Sequence, residues 1–258
     1  QMKKILKKPE DINRTKLAFH LDCGLNRFGI NNIEALKKTV EKVLKKNPSD
    51  ILILAHLSHA DCSKSRENIR QLNKLKEFQS EFPELRYSIS GSAAVINNKV
   101  FSLDLVRPGI SLFGGKSSDA IGMKFFKNVI NLSAPVIQVK EIKKGEGVGY
   151  NHNFKALRKT YVATAKIGYA DGLNRKLSSS LKVFYRKKIF KIIGKISMDL
   201  ITFQVDKDFY ENYQKNNHSI YVELINDQQS PNKISNYLGT IPHEVLTLIS
   251  DRVKRKLV

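Results

Sequence analysis

The sequence contains few cysteines and no long apolar run, and each shortage excludes a class of protein. Among its 258 residues, only Cys23 and Cys62 are cysteines. Two are too few for a disulfide framework, so both are interpreted as reduced thiols. No apolar run approaches the roughly 18 to 20 residues that a membrane-spanning helix requires. The N-terminus also lacks an apolar core with a cleavage site. Neither membrane insertion nor export is indicated, and a cytoplasmic location is expected.

Acidic residues are scarce relative to basic ones. The chain has 24 Asp and Glu against 45 Lys and Arg, which gives a formal net charge of +21. Such a charge attracts polyanions when it is concentrated on one face. Because lysines occur in nearly every segment, we interpret the charge as a lysine-rich solvated surface. A basic nucleic-acid-binding protein with a small open α/β sheet remains an alternative.

The first half of the chain alternates strand-like and helix-like segments. Strands are predicted at 16–22, 51–56, 86–90 and within 103–113. A capping box at Asn31-x-x-Glu34 and apolar residues at helical spacing predict helices between them. This alternation indicates right-handed crossovers and a parallel sheet. About four βα units belong either to a small doubly wound sheet or to half of an eight-stranded barrel.

The second half is rich in short β-type runs. Strands are predicted at 135–142, 161–167, 181–185, 190–193, 200–205 and 220–224. Residues 233–250 have a helical pattern that Pro242 divides into two pieces. The glycine- and serine-containing segment 114–126 is the predicted linker. We therefore predict an α/β domain at 1–122 and an all-β domain at 123–258.

Polar residues follow the predicted parallel strands at their carboxyl ends, where sheets of this kind carry their sites. These residues are His56, Ser58, His59, Gly91, Ser92, Arg107, Gly109 and Ile110. The spacing His56-x-x-His59-x-x-Cys62 also offers three potential zinc ligands. No convincing fourth ligand accompanies them, so no metal is predicted.

Six motifs occur in the order and approximate spacing of the alanine racemase family, which this chain resembles over nearly its whole length. They are DCGLNRFG at 22–29, SGSAA at 90–94, DLVRPGI at 104–110, GVGY at 147–150, GYADG at 168–172 and ISMD at 196–199. The resemblance implies a (β/α)8 TIM-type barrel, here partial, followed by a C-terminal β domain. It also implies pyridoxal 5′-phosphate and a head-to-tail homodimer with shared active sites.

The resemblance assigns catalytic and substrate roles to three residues. Racemisation needs a base on each face of the amino acid's Cα and an electron sink for the negative charge that forms there. Tyr150 resembles the family's tyrosine base, which acts across the dimer. Arg27 matches the arginine near the cofactor's phenolic oxygen and the substrate carboxylate. Met198 matches a residue whose backbone amide contacts that carboxylate. Read alone, Tyr150 would be a turn tyrosine and Met198 core filler.

The resemblance assigns the cofactor to five residues. Ser92 and the backbone amides around Gly109 and Ile110 are expected to hold the phosphate. His56 matches the histidine beside the pyridine ring. Arg107 matches the arginine on the pyridine nitrogen, where a guanidinium discourages protonation and favours proton return over transamination. Without the resemblance, His56 would be a hydrogen-bonded structural residue and Arg107 would belong to an ion pair at the barrel end.

The glycine-bracketed turn at 168–172 is expected to act at the active-site entrance. By resemblance, Tyr169, Arg175 and Asp199 restrict access to small amino acids, while Asp171 braces the turn. A hairpin corner is the structural alternative. The substrate could be alanine, serine or a broader set.

Several departures from the family pattern bear on activity. The family's Schiff-base lysine, which is also the second base, lies upstream of anything in this chain. Together with Gln1 at the start, this predicts a truncated product, one piece of a split protein or a version of the chain that lacks its beginning. Asp251 stands where the family has a phosphate-contacting tyrosine. His20 stands where some members have a modified lysine, and Lys195 replaces an arginine.

The predicted function is conversion of L-alanine to D-alanine for peptidoglycan precursors, with little or no catalysis by the chain alone. A catalytically inactive remnant or interaction module of the same family is the alternative.

Overall fold

A computed structural model describes residues 15–45, 50–117, 125–216 and 219–257. The chain divides into two compact units. The first comprises Gln1–Leu112 and Lys116–Phe126, and the second comprises Phe113–Gly115 and Lys127–Val258. Part of the predicted linker lies outside the described residues, and the boundary at 122/123 stays a prediction. None of the helices in the described ranges is both long and apolar enough to cross a membrane.

The first unit is a three-stranded parallel sheet with helices between its strands. Its elements are β1 (Lys16–His20), α1 (Ile33–Leu44), β2 (Asp50–Leu54), α2 (Arg66–Glu81), β3 (Arg86–Ser88) and α3 (Ser92–Asn97). β1 pairs in parallel with β2, and β2 with β3. The apolar faces of α1 and α2 cover the sheet because their buried residues recur at helical spacing. The sheet strands and both long helices agree with the sequence predictions.

Helix α1 begins one residue later than the predicted capping box. Asn32, not Asn31, is the cap, and its Oδ1 accepts a hydrogen bond of 2.9 Å from the Ala35 amide. The extended backbone of Asn32 allows this bond. Glu34 consequently lies in the first turn and pairs with Lys37 at 2.7 Å.

The fourth strand predicted within 103–113 is reduced to a single parallel bridge between Gly91 and Arg107. The Arg107 amide donates to Ser90 O at 2.9 Å. Pro108 follows and has no N–H to continue the ladder. The chain then enters a 3-10 turn at Ile110–Phe113. The described part of the first unit therefore contains three strands rather than the four that the sequence predicted.

The second unit is a six-stranded antiparallel sheet with a small hairpin and three helices. Its strands are β4 (Leu132–Ile142), β5 (Gly147–Val148), β6 (Phe154–Lys155), β7 (Thr160–Ala165), β8 (Lys182–Tyr185), β9 (Lys188–Lys191), β10 (Ile201–Val205) and β11 (Ile220–Ile225). Its helices are α4 (Lys207–Lys215), α5 (Pro231–Leu238) and α6 (Pro242–Thr247). The sheet order is β10-β7-β4-β11-β8-β9. A bridge between Ile192 and Phe203 joins the two edges, so no edge is left long and open.

Three aromatic rings form the centre of the second core. Phe190, Phe203 and Phe209 lie with ring centroids 5.3 to 6.1 Å apart, mostly edge to face. Phe209 comes from α4, a helix that the sequence interpretation missed. The Asp206 side chain caps α4 by accepting from the Phe209 amide at 2.8 Å. An aspartate cap followed by Phe209 and Tyr213, four residues apart, was the signal that could have revealed it.

Removing the central ring tests this core. Phe203→Ala should lower the free energy of unfolding by about 3–5 kcal/mol, because Phe203 is fully buried and its loss leaves a cavity. Urea denaturation of the full chain measures the change. Tyr221→Ala, an exposed aromatic position on β11, should change stability by less than about 1 kcal/mol. Equal effects of both substitutions would contradict the assigned core.

Candidate active site

Arg107 connects the carboxyl ends of β2 and β3. Its Nε donates to Ser88 Oγ at 3.1 Å, and its Nη2 donates to the carbonyl oxygen of Ala55. Ser88 ends β3, and Ala55 directly follows β2. His56 comes one residue later and His20 ends β1, so the ends of all three strands contribute polar groups at the same sheet edge. The parallel order of the strands thus gathers residues that are far apart in sequence.

The imidazoles at this edge lie among cations. Burial is the main cause that lowers the pKa of His56, and Arg107, Arg27 and His20 lower it further. Burial and Arg107 likewise lower the pKa of His20, against a smaller raising effect of Asp22. Both rings are therefore neutral at pH 7. The net positive charge at this edge comes from the arginines.

A cluster of backbone amides surrounds the hydroxyl of Ser92. Ser92 Oγ accepts from the Gly109 amide at 2.8 Å and from the Ser111 amide at 3.4 Å. Ile110 lies between these two residues at the start of a 3-10 turn. Apart from Gly109 and its two chain neighbours, no heavy atom of the described residues lies within 4 Å of the position that a Cβ at Gly109 would occupy. Because Ser92 Oγ accepts both bonds, its hydroxyl hydrogen can donate to an anionic oxygen beside Gly109.

The loop that carries Arg27 is held by Asp22, whose role the sequence interpretation missed. The Asp22 carboxylate accepts from the amides of Gly24 at 2.9 Å and Asn26 at 3.1 Å. Lys74 of α2 donates to Asp22 O at 3.0 Å. An aspartate two residues before a glycine is typical of such a turn and could have identified it. Arg27 itself is exposed.

Tyr150 lies in a turn with an unusual backbone. Gly149 has φ of 73°, Asn151 of 58° and His152 of 46°, so non-glycine residues occupy the left-handed region directly after Tyr150. The Tyr150 side chain is 68% exposed. A Cβ at Gly149 would lie 3.7 Å from the amide nitrogen of Lys195. The turn of Tyr150 therefore packs beside the segment that leads to Met198.

The GYADG turn packs directly on the loop of Met198. The amides of Tyr169 and Ala170 donate to Ser197 O and Met198 O, each at 3.0 Å. A Cβ at Gly168 would lie only 2.3 Å from Met198 O. Only a glycine at position 168 therefore permits this contact without movement of the backbone.

Arg252 links this turn to two carboxylates, a role that the sequence interpretation did not assign. Its Nη2 lies 2.6 Å from Asp199 Oδ1, and its Nε lies 3.3 Å from Asp171 Oδ1. Asp171 Oδ2 also accepts from the Gly168 amide at 2.8 Å, so Asp171 braces the turn as predicted. No spacing rule connects positions this far apart, and the sequence carried no signal for the link.

The remaining predicted residues lie apart from these clusters. Arg175 is exposed and begins the 3-10 turn Arg175–Ser179. Asp251 is fully exposed and pairs with Arg255 at 3.2 Å. Within the described ranges, no three His, Cys, Asp or Glu side chains could hold a metal ion. His59 Nδ1 lies 2.8 Å from Ser58 Oγ.

The predicted site residues therefore form two groups, one on each unit. The first unit carries His56, Ser92, Arg107, Gly109 and Ile110 at one sheet edge, with Arg27 on a neighbouring loop. The second unit carries Tyr150, Tyr169, Met198 and Asp199 on adjacent turns.

Comparisons with known proteins match both units. The family "Alanine racemase, N-terminal domain" matches residues 1–117, and "Alanine racemase, C-terminal domain" matches residues 129–257. The alanine racemase of Rickettsia bellii is 33% identical over 240 residues, which are 92% of this chain and 57% of the relative. That of Acidiphilium cryptum is 33% identical over 236 residues, which are 92% of this chain and 64% of the relative.

A solved structure of an alanine racemase is also similar to this chain. The crystal structure of alanine racemase from Bartonella henselae with covalently bound pyridoxal phosphate has a TM-score of 0.80 and 29% identity. The match covers 100% of this chain and 70% of that one. This chain thus belongs to the class of proteins that join a barrel-type α/β unit to a β domain. It is a member of the alanine racemase family and spans 57% to 64% of the length of these two relatives.

The family depends on pyridoxal phosphate, and the first unit offers groups that fit it. The Ser92 hydroxyl, which can donate a hydrogen bond, and the open space at Gly109 suit a phosphate oxygen. The buried Nδ1 of His20 has no hydrogen-bond partner in the described structure. This nitrogen faces the backbone of Gly29, because a Cβ at Gly29 would lie 2.6 Å from it.

The neutral imidazoles make stability depend on pH. Both folded-state pKa values lie below the ordinary 6.5, so the unfolded chain binds protons more readily. The contribution of these histidines to the free energy of unfolding should be fully present above pH 6.5. It should fall as pH decreases toward the folded-state pKa values. Urea denaturation between pH 7.5 and 5 should show this loss. The double variant His20→Gln, His56→Gln should reduce the slope, whereas the exposed His59→Gln should keep it. An unchanged slope in the double variant would contradict the assignment.

Two glycine substitutions test the contact between the GYADG turn and Met198. Gly168→Ala should lower the free energy of unfolding by about 1–3 kcal/mol, because its Cβ would overlap the Met198 carbonyl. Gly109→Ala introduces the same methyl group into open space and should change stability by less than about 0.5 kcal/mol. Thermal unfolding compares the two variants. A Gly168→Ala chain as stable as Gly109→Ala would show that the close contact is absent.

Proposed function

We propose that this chain provides most of the active site of a pyridoxal-phosphate-dependent alanine racemase, which converts L-alanine to D-alanine. The observation that carries the proposal is the gathering of His56, Ser92 and Arg107 at one sheet edge in a member of this family. Cytoplasmic supply of D-alanine to peptidoglycan precursors is the corresponding role.

The cofactor's phosphate would be held by Ser92 and by the amides of Gly109 and Ile110, and its ring would lie beside His56. Bound pyridoxal phosphate supplies an electron sink for negative charge at the substrate's Cα. Arg107 would face the pyridine nitrogen. Its hydrogen bonds to Ser88 and Ala55 fix its orientation. Burial lowers the pKa of Arg107, but a guanidinium keeps its charge in proteins. Arg107 would therefore donate a hydrogen bond there without giving up a proton.

The substrate would be held through its carboxylate. Arg27 supplies a positive charge, and the backbone amide of Met198 supplies a hydrogen-bond donor. Tyr150 would remove or return the Cα proton on one face through its phenolic oxygen. Arg27 and Tyr150 belong to different units. As the family resemblance implies for the tyrosine base, we propose a homodimer in which Tyr150 acts in the active site of the partner copy.

Access would be limited by the turn of Tyr169 together with Arg175 and Asp199. The ion pairs of Arg252 with Asp171 and Asp199 keep this turn against the Met198 loop. A narrow, braced opening favours a small amino acid over a large one.

The covalent lysine of the family, which is also the second base, has no counterpart in the motifs of this chain. We propose that it comes from sequence upstream of Gln1. An inactive remnant or interaction module is the second candidate, and one observation favours it. Asp251 replaces the usual phosphate-contacting tyrosine, and a carboxylate repels a phosphate dianion. Its pairing with Arg255 offsets that repulsion.

The test is conversion of L-alanine to D-alanine with added cofactor, with and without the genomic sequence immediately upstream of Gln1. The extended protein should be active and the chain alone should show little or no turnover. In the extended protein, Tyr150→Phe should reduce kcat by about 10²–10⁴-fold. Tyr221→Phe, at an equally exposed tyrosine, should retain full activity.

Two outcomes would contradict the proposal. Turnover by the chain alone at the rate of the extended protein would refute the missing-lysine account. An extended protein that binds cofactor but never racemises alanine would favour the inactive remnant.

A further inference from the structure

Positive charge is concentrated in one stretch of the second unit. Residues 151–200 contain twelve Lys and Arg but only two Asp and no Glu. Their formal charge of +10 is nearly half of the +21 of the whole chain. Five of these cations lie in the hairpin of β8 and β9, namely Lys182, Arg186, Lys187, Lys188 and Lys191. The occurrence of lysines in nearly every segment suggested an even charge. The positive charge is in fact distributed less evenly along the chain.

The tip of this hairpin holds an arginine in a conformation that favours glycine. Tyr185 pairs with Lys188, which leaves Arg186 and Lys187 as a two-residue turn. Arg186 has φ of 54°, and hairpin turns with positive φ at this position are dominated by Gly, Asn and Asp. An arginine in this conformation lowers the free energy of unfolding by about 1 kcal/mol or more relative to an unstrained residue. Strain of this kind is common where a side chain has a function.

The Tyr185 ring at the tip is held by contacts with Arg186, Asn212 and Phe209. Arg186 Cζ lies 5.2 Å from the centroid of the Tyr185 ring. Asn212 Nδ2 donates to the Tyr185 hydroxyl at 2.6 Å. Phe209 contacts the same ring edge to face with centroids 5.0 Å apart. A ring fixed from two sides and a guanidinium beside it can stack a further planar group.

A surface cavity of about 580 Å³ lies between this hairpin and α4. That volume is within the range of about 300–1,000 Å³ that is usual for small-molecule sites. The residues that line it are Tyr185, Arg186, Lys187, Lys188, Asp208, Phe209, Glu211, Asn212 and Lys215.

The acids that line the cavity already have cationic partners. Lys188 Nζ lies 2.9 Å from Asp208 and 2.6 Å from Asp206. Lys207 Nζ lies 3.3 Å from Glu211. Across the described ranges, no salt bridge involves the other three cations of the cavity, which are Arg186, Lys187 and Lys215. The cavity therefore has three cations without a salt-bridge partner in the described ranges, and they lie near the Tyr185 ring.

We infer that this cavity binds a mononucleotide. The base stacks on the Arg186 and Tyr185 surface, and the phosphate lies among Lys187, Lys215 and the Arg186 guanidinium. A ligand with only a base, or with only a phosphate, would contact only part of these residues. The inference is independent of racemase activity, because none of these residues belongs to the proposed active site.

Isothermal titration calorimetry of the full chain in about 0.1 M salt tests the ligand class. AMP should bind about tenfold more tightly than either adenosine or ribose 5-phosphate, because only AMP has both base and phosphate. If ribose 5-phosphate binds as tightly as AMP, the binding is due to charge attraction alone and the mononucleotide site is contradicted. A single-stranded hexanucleotide that binds far more tightly than AMP would assign the surface to nucleic acid instead.

Two variants test the position of the site. Arg186→Gly removes the guanidinium and also the strained φ, so it should weaken AMP binding about tenfold while leaving the chain as stable or more stable. Lys144→Gln makes the same change of charge at an exposed turn after β4 and should alter AMP binding by less than about twofold. Equal weakening by both variants, or unchanged AMP affinity in Arg186→Gly, would overturn the inference.

Discussion

The hydrogen bonds of Arg107 to the ends of two strands are the interaction on which the candidate active site depends. One guanidinium donates to the backbone after β2 and to a hydroxyl at the end of β3. This arrangement satisfies donors that would be costly to bury alone. It also directs a permanent positive charge at the carboxyl edge of the sheet, where burial first and the nearby Arg107 second lower the pKa of His20 and His56.

The second unit uses a different constraint to arrange its residues. Tight backbone contacts between Gly168 and Met198 bring two distant turns together, and Arg252 ties both to the C-terminal segment. The turn of Tyr150 packs next to the same loop through Gly149. In the second unit, close backbone approach therefore positions the turns and the ion pairs of Arg252 then hold them, which is consistent with the glycines of the GYADG motif.

The sequence predicted the elements whose signals are local. Apolar runs identified β1 and β2, and Pro242 correctly separated the last two helices. The motif residues of the first unit were predicted to share a sheet edge because parallel strands end together. The cap of α1 was wrong by one residue because Asn31 and Asn32 are chemically equivalent caps and only backbone geometry distinguishes them. The fourth strand was wrong because Pro108 limits pairing to one bridge. The ion pairs of Arg252 were not predictable, since they join residues that only the folded chain brings together.

The central claim is that the edge around Ser92 and Arg107 receives the phosphate and ring of the cofactor. Equilibrium dialysis of pyridoxamine 5′-phosphate and of pyridoxamine against the full chain tests this claim without a covalent lysine. The phosphorylated compound should bind more tightly, and Ser92→Ala should weaken it while Arg186→Gly leaves it unchanged. Equal binding of both compounds, or an affinity that Ser92→Ala does not alter, would contradict the account.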